Sequence, residues 1–374
     1  MLPLLGAAGL AHDLGNPPFG HQGEAAISSW FDHRQHWIFD RRDKDSTESA
    51  GPVEAEYRNE FLAFDGNPQS LRVLVRLHTS QGGVGLDLTA ATIMALMKYP
   101  VAAANVDPDH PAKKKFGYFA SESFIVDWAR KHTGLKEGQR HPLSWIVEAS
   151  DDTAYSVLDV EDAMKKGIIS PDDLLNVLKC SGEVCESETF RRLAEAFNKA
   201  ETLPRAPSII RDIKIGYARS YLIDALVRHA SDTFVKNRDA IYGFEYRGAI
   251  MDSSPLCETL KRIARDYAFG NSEVLHAEAR GRRALEELMD FFWQAITDRK
   301  PGTDIVSKRA SAMSRFVYSL ISDNYLEAAM PFNLQTNATA QRERYRELRL
   351  LTDMVSGMTD GFTLRLDERI KEVA

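Results

Sequence analysis

Cysteine is scarce in this chain, with Cys180, Cys185 and Cys257 the only three in 374 residues. So few thiols, so spaced, exclude a disulfide framework and a four-thiolate zinc site, and they read as inert thiols of a reducing, cytoplasmic protein. Long apolar runs are missing too. Residues 2–11 approach the length of a secretory apolar segment but lack a basic flank and run directly into His12-Asp13, so they read as a buried helix. No other stretch nears the roughly 18 apolar residues of a membrane span. An excess of positive charge is absent: 47 Lys and Arg against 54 Asp and Glu leave a net charge of -7, so any phosphate site must be built locally. Alternating apolar and polar residues are nearly absent, residues 240–249 and 303–306 being weak exceptions.

Several catalytic signatures are also lacking. Gly15 and Gly20 have the spacing of P-loop glycines, but His21-Gln22 stands where Lys-Ser/Thr is needed and Pro17-Pro18 occupies the loop. There is no dinucleotide-binding glycine fingerprint after a strand and no Gly-x-Ser-x-Gly elbow.

What remains is helical periodicity. Apolar residues recur at helical spacing over residues 25–39, 54–62, 70–78, 89–98, 121–133 and 142–166, with Gly134 and Gly167 as stops. Residues 171–199 read as two helices, 209–237 as one long one, 258–299 as two more, 307–330 as one and 342–354 as the last. Residues 41–52, 64–68, 81–85 and 102–111 read as turns or loops. The fold class is all-α. Two regions are expected: a core over 1–170 bearing the chemical motifs, and a helical region over 171–374 that packs on it.

The densest chemistry lies in residues 12–24. An adjacent His12 and Asp13 at a helix end can give one nitrogen and one oxygen to a divalent cation, with Asp151 or Asp152 the best distant acidic partner. Pro17 and Pro18 start a new turn. If that turn continues as helix, His21 and Glu24 share a face, and the carboxylate orients the ring and raises its proton affinity for acid–base work. Asp151, Tyr155 and Asp159 repeat every four residues and form a stripe on one helix face, which reads equally as a ligand-binding edge or a polar seam. Lys98-Tyr99 and Lys113 to Lys115 offer point charges suited to polyphosphate. Arg342, Arg344, Arg346 and Arg349 read as a solvated helix face in preference to a phosphate-binding one.

With these residues in hand, the chain resembles the HD-domain deoxynucleoside triphosphate triphosphohydrolases, the dGTPase-like family. The resemblance runs from residues 12–24 through Phe64-Asp65-Gly66-Asn67-Pro68-Gln69-Ser70-Leu71-Arg72 and Gly85-Leu86-Asp87-Leu88-Thr89. It continues through Met97-Lys98-Tyr99-Pro100, Lys115-Phe116-Gly117-Tyr118-Phe119, residues 148–155 and 159–162, and Ser356-Gly357-Met358-Thr359-Asp360. It implies a helical HD fold in which His12, Asp13 and Asp151 ligate Mn²⁺ or Mg²⁺, with Asp152 the less favoured ligand. It further implies that His21 and Glu24 manage a proton, that Lys98, Tyr99 and Lys115 hold phosphates, and that Tyr155 and Asp159 face the deoxyribose. The implied reaction converts a deoxynucleoside triphosphate, dGTP first, to the deoxynucleoside and tripolyphosphate, in a homo-oligomer with single-stranded DNA as an effector.

The family's metal site has a further His upstream of the His-Asp pair, whereas this sequence begins eleven residues before His12. The chain therefore reads as the family without its N-terminal segment. Two other readings stand beside the first: a different HD-type nucleotide phosphohydrolase, and a non-catalytic nucleotide-binding subunit.

Overall fold

The computed structural model describes residues 2–40, 52–78, 85–300, 303–331 and 337–374. The loop expected at 41–52, apart from Pro52, and the glycine-rich turn at 81–85, apart from Gly85, lie outside them. Nineteen α-helices and no strand occur among the described residues, so the fold is all-α. The two weak strand readings are corrected: residues 238–242 are helical, and 303–306 form an irregular turn. No described helix is long and apolar enough to cross a membrane.

The chain divides into two compact units, residues 1–141 with 278–374, and residues 142–277. A boundary at 170/171 falls inside the second of these. The first unit opens with α1 (Leu2–Ala11), α2 (His21–Asp32), α3 (Ala55–Leu62), α4 (Gly66–Arg72), α5 (Ala90–Leu96) and α6 (Ser123–Thr133). The second holds α7 (Pro142–Lys165), α8 (Pro171–Lys179), α9 (Gly182–Glu186), α10 (Glu188–Glu201), α11 (Pro207–Lys236), α12 (Arg238–Tyr242) and α13 (Pro255–Ile263). The first unit resumes along α14 (Ser272–Thr297) and continues with α15 (Ala312–Tyr318), α16 (Asp323–Ala328), α17 (Ala338–Gln341), α18 (Glu343–Ser356) and α19 (Asp360–Lys371).

Several helix limits follow from local chemistry that periodicity does not show. Asp65 caps α4, its side chain accepting from the Asn67 N–H, so Gly66 to Pro68 start a helix where a turn was expected; a proline is tolerated there because the first-turn N–H groups have no helical partner. Ser187 caps α10, which splits residues 171–199 into three helices and not two. Residues 307–330 likewise hold two short helices, α15 and α16. Thr359 accepts from the Phe362 N–H and launches α19, which the glycines at 357 and 361 conceal in the sequence. Gly134 closes α6 in the left-handed conformation, at φ 72°, as expected.

Two expectations about burial are corrected. The apolar α1 is a helix but not a buried one: Leu2 is 81% and Leu10 83% exposed, and only Ala8 is buried. The arginines of residues 342–349 do not form a solvated face. Arg349 is buried with its guanidinium carbon 3.7 Å from the Phe119 ring centre and 4.1 Å from that of Phe61, and Arg344 lies over Trp293.

The first unit's core is aromatic, built from Trp30, Phe31, Phe39, Phe61, Phe119, Phe292 and Tyr345. Through it runs a fully buried ion group. Arg72 on α4 makes two bonds of 2.7 Å to Asp353 on α18 and one of 2.6 Å to Glu122. The second unit packs α7 and α10 against the long α11 and α13 against α7, burying Val157, Val160, Leu193, Phe197, Leu222 and Leu226. Its Cys257 is buried, and burial pushes that thiol up, away from reactivity, as expected of an inert cysteine.

Candidate active site

Residues 12–20 form the turn between α1 and α2. His12 follows the last residue of α1, where helix carbonyls favour positive charge. Its Nδ1 lies 2.8 Å from the Gly9 carbonyl oxygen. A carbonyl can only accept, so the proton sits on Nδ1 and the Nε2 lone pair is presented outward, 3.4 Å from Asp13 Oδ2. Both donors thus meet on one side of the turn, as a cation ligand pair requires.

The turn is held against α4 by close approach. Gly15 N–H donates to Ser70 Oγ at 2.9 Å, and a Cβ on Gly15 would stand 2.0 Å from the Ser70 backbone nitrogen. Gly15→Ala is therefore expected to cost about 1–3 kcal/mol through forced backbone displacement. Urea denaturation would check this; an unchanged midpoint would show that the turn and α4 can part without penalty.

Phe19 adopts φ 64°, a left-handed conformation unusual for an aromatic residue. Asp360 holds it there, accepting the Phe19 N–H at 2.9 Å, while the Phe19 ring lies against Gly281 of α14. This turn aims the start of α2, so His21 and Glu24 do come together on one helical face. His21 Nδ1 lies 2.9 Å from Glu24 Oε2, and the other carboxylate oxygen, Oε1, accepts the Gly66 N–H at 2.7 Å. The His21 side chain is 97% exposed and that of Glu24 only 15%, so the carboxylate is a fixed anchor and the ring is open to a reactant. The hydrogen bond that His21 donates to Glu24 raises the proton affinity of His21 above the ordinary imidazole value, against a smaller opposing effect of burial.

Lys115 is paired with Asp65, whose other oxygen accepts from the Asn67 backbone N–H at 2.9 Å and from its side-chain amide at 2.7 Å. Burial alone would lower the Lys115 ammonium; Asp65 outweighs it and raises its proton affinity, while Lys115 and Asn67 hold the Asp65 carboxyl below its usual range. Lys115 is therefore a firm cation, half exposed. It also acts electrostatically on His21 and Glu24, which places the lysine and the acid–base pair in one neighbourhood. Of the run 113–115, Lys115 is the member that joins this group. Lys98 stands with its ammonium 5.6 Å from the centre of the buried Tyr99 ring.

In the second unit, Asp151, Tyr155 and Asp159 lie along α7, with Tyr155 exposed. Burial, then the charge of Asp162, raises the Asp159 carboxyl. Asp152 is committed to an ion pair of 2.8 Å with Lys261 on α13, which leaves Asp151 the better acidic candidate of the two. On the same helix Leu158 is 47% exposed, whereas Val157 is buried.

Sequence reasoning assigned no role to Asp65, Gly66 or Asp360. The Asp-Gly-Asn-Pro turn signal marked the first two as a loop, although an Asp ahead of a proline in a first helical turn is also a capping signal. Nothing local could connect Asp360 to Phe19, 341 residues away.

No family model matches the chain. Curated relatives do. The chain is 31% identical over 375 residues to the deoxyguanosinetriphosphate triphosphohydrolase-like protein of Listeria monocytogenes, covering 98% of this chain and 77% of that one. It is 31% identical over 388 residues to a probable deoxyguanosinetriphosphate triphosphohydrolase of Pseudomonas aeruginosa, covering 96% and 75%. It is 32% identical over 388 residues to the deoxyguanosinetriphosphate triphosphohydrolase of Serratia proteamaculans, covering 94% and 75%.

Proposed function

The chain belongs to the deoxyguanosinetriphosphate triphosphohydrolase-like family, a family of hydrolases acting on deoxynucleoside triphosphates, and from that premise we propose that it converts dGTP to deoxyguanosine and intact tripolyphosphate. The observation that carries this reading is the His21 and Glu24 pair, an exposed imidazole of raised proton affinity on a carboxylate anchored by Gly66. In the proposed reaction water adds to the α-phosphorus, and the bond from that phosphorus to the 5′ oxygen breaks. The departing 5′ oxygen needs a proton, and His21 supplies it as general acid. Glu24 keeps the ring oriented and charged. Lys115, with Lys98 and Tyr99, holds the phosphates, and Tyr155 with Asp159 faces the deoxyribose, where a ring against the sugar leaves little room for a 2′-hydroxyl.

A divalent cation, Mn²⁺ or Mg²⁺, belongs to the proposal. The donor set fits one: His12 has its Nδ1 tied to a carbonyl and its Nε2 on the side of Asp13, and Asp13 and Asp151 are carboxylates. Bound there, the cation would polarise the phosphate and lower the pKa of a water. Asp151→Ala should abolish metal binding and activity together, whereas Asp152→Ala should keep both, since that carboxylate serves Lys261. Calorimetric titration with Mn²⁺ checks this; retained metal in Asp151→Ala would move the ligand role elsewhere.

Product analysis tests the reading as a whole. One tripolyphosphate per deoxyguanosine is expected from dGTP and Mn²⁺. Orthophosphate release would favour a different nucleotide phosphohydrolase, and dGTP binding without turnover would favour a non-catalytic subunit.

The pH dependence follows from His21. A general acid works below its pKa and is lost as pH rises through it, so the alkaline limb of kcat should lie above the ordinary imidazole value of 6.5. Glu24→Gln removes the main cause of the raised affinity, and that limb should move toward lower pH. A limb that stays in place on the pH–rate profile would show that another group sets it.

A further inference from the structure

In the first unit, α4, its π-helical continuation over Val73–Leu77, and α18 frame a cavity of about 30 Å³. That is space for one or two waters or one small ion. Four arginines line it, Arg72, Arg76, Arg346 and Arg349, and the remaining wall is mostly apolar, including Ala328, Ala329, Met330 and Ala340. Among the described residues no carboxylate lines it. None of these residues belongs to the catalytic and ligand set proposed above.

Like charges are not gathered in a low-dielectric wall without cost. Arg72 is matched by Asp353 and Glu122. Arg349 is less well provided for. It donates one bond of 3.1 Å to the Glu60 carbonyl oxygen, and its Nε and Nη1 are buried without a hydrogen-bond partner. The Glu60 carboxylate beside it is itself pushed up to about 7 by burial, despite the opposing charge of Arg349, so at neutral pH it compensates that charge only in part. Burial lowers the proton affinity of Arg76, and the neighbouring Arg72 lowers it further, while Glu122, Asp353 and Glu327 act in the opposite sense. Burial likewise lowers that of Arg346, with Asp304, Glu343 and Glu347 opposing and Arg299 adding to it. In both arginines the unfavourable side prevails, although neither guanidinium loses its proton near neutral pH.

We infer that this cavity is a binding site for a small tetrahedral oxyanion of the phosphate class. An oxyanion there would offset the charge shared by Arg76 and Arg346 and act on the Arg349 guanidinium, whose own neighbours compensate it only in part. Arginine forks such as those of Arg76 and Arg346 suit its several oxygens better than lysines would, whereas all three nitrogens of the Arg72 guanidinium are already bonded to Asp353, Glu122 and Ser121. The same chemistry is available from free phosphate, from tripolyphosphate or from the phosphate of a nucleotide.

Calorimetric titration of the full chain with inorganic phosphate, without divalent metal, tests the assignment. One saturable site is expected, weakened about tenfold or more in Arg346→Gln and in Arg76→Gln, each of which removes one charge-assisted contact, and unaltered in Lys115→Gln. The two arginine variants involve only half-buried side chains, and circular dichroism would confirm their folding; either one suffices if the other fails to fold. Absence of saturable binding would overturn the assignment, as would binding that survives both arginine variants or disappears in Lys115→Gln. Parallel titrations with tripolyphosphate and dGMP identify the source, the tighter arginine-dependent ligand being the preferred one.

Discussion

His21→Ala is expected to lower kcat about 10²- to 10⁴-fold while leaving Mn²⁺ binding in place. The size follows from the leaving group: a nucleoside 5′ oxygen departs as an alkoxide unless it is protonated in the transition state. In the proposed mechanism His21 suits that task, since Glu24 accepts from its Nδ1 at 2.9 Å and leaves Nε2 as the proton-bearing atom toward solvent. The metal ligands proposed are His12, Asp13 and Asp151, so the metal should remain. Turnover and calorimetry on the same preparation make the check. Unchanged turnover would remove His21 from the mechanism, and joint loss of turnover and metal would make it a ligand. Glu24→Ala should lose less, because the ring persists without its anchor, and the loss should appear mainly in kcat.

Asp353→Ala should destabilise the first unit by about 3–5 kcal/mol, the usual cost of stripping the partner from a buried ion. Both Asp353 oxygens accept from Arg72 at 2.7 Å, and Gln69 Nε2 donates to the same carboxylate at 3.1 Å. Burial would push the Arg72 guanidinium down, but Asp353 and then Glu122 hold its proton more firmly than usual. Once Asp353 is gone, Arg72 retains, among the described residues, Glu122 and Ser121 as partners for a buried charge. Tryptophan fluorescence in urea reports on this unit, because Trp30, Trp37, Trp128 and Trp293 lie within it and Trp145 alone lies outside. Arg72→Met with Asp353→Leu should recover much of the loss, since the pair is costly to bury and its removal leaves no orphan. A single variant as stable as the parent would mean that water reaches Arg72. Because α4 also carries Gly66, the single variant should further loosen the Glu24 anchor.

The all-α class and the main helices were legible in the sequence because a helix is a local structure. Helical spacing and the stops at Gly134 and Gly167 are written within a few residues of each other, and α6 and α7 fall where they predict. The N-terminal caps were not legible: Asp65 and Thr359 stood among glycines and prolines and looked like loop. Burial was the least legible property. The apolar α1 lies largely exposed, and the arginines of α18 lie largely inside, because burial depends on what packs against a helix and not on its own composition.

By itself the sequence determined the chemistry available: a His-Asp pair, a His and a Glu three residues apart, lysines for phosphate, and the family to which these belong. The pairing of His21 with Glu24 needed only that the turn after Pro18 continue as helix. Tertiary structure alone decided what holds that pair in place. Gly66 anchors the carboxylate from 42 residues away, and Asp360 holds the Phe19 turn from 341. Tertiary structure alone also gathered Arg72, Arg76, Arg346 and Arg349 around one cavity. Local sequence encodes torsion angles and periodicity, whereas contacts between distant segments are chosen by the packing of the whole unit, and that choice is not written at either end of the contact.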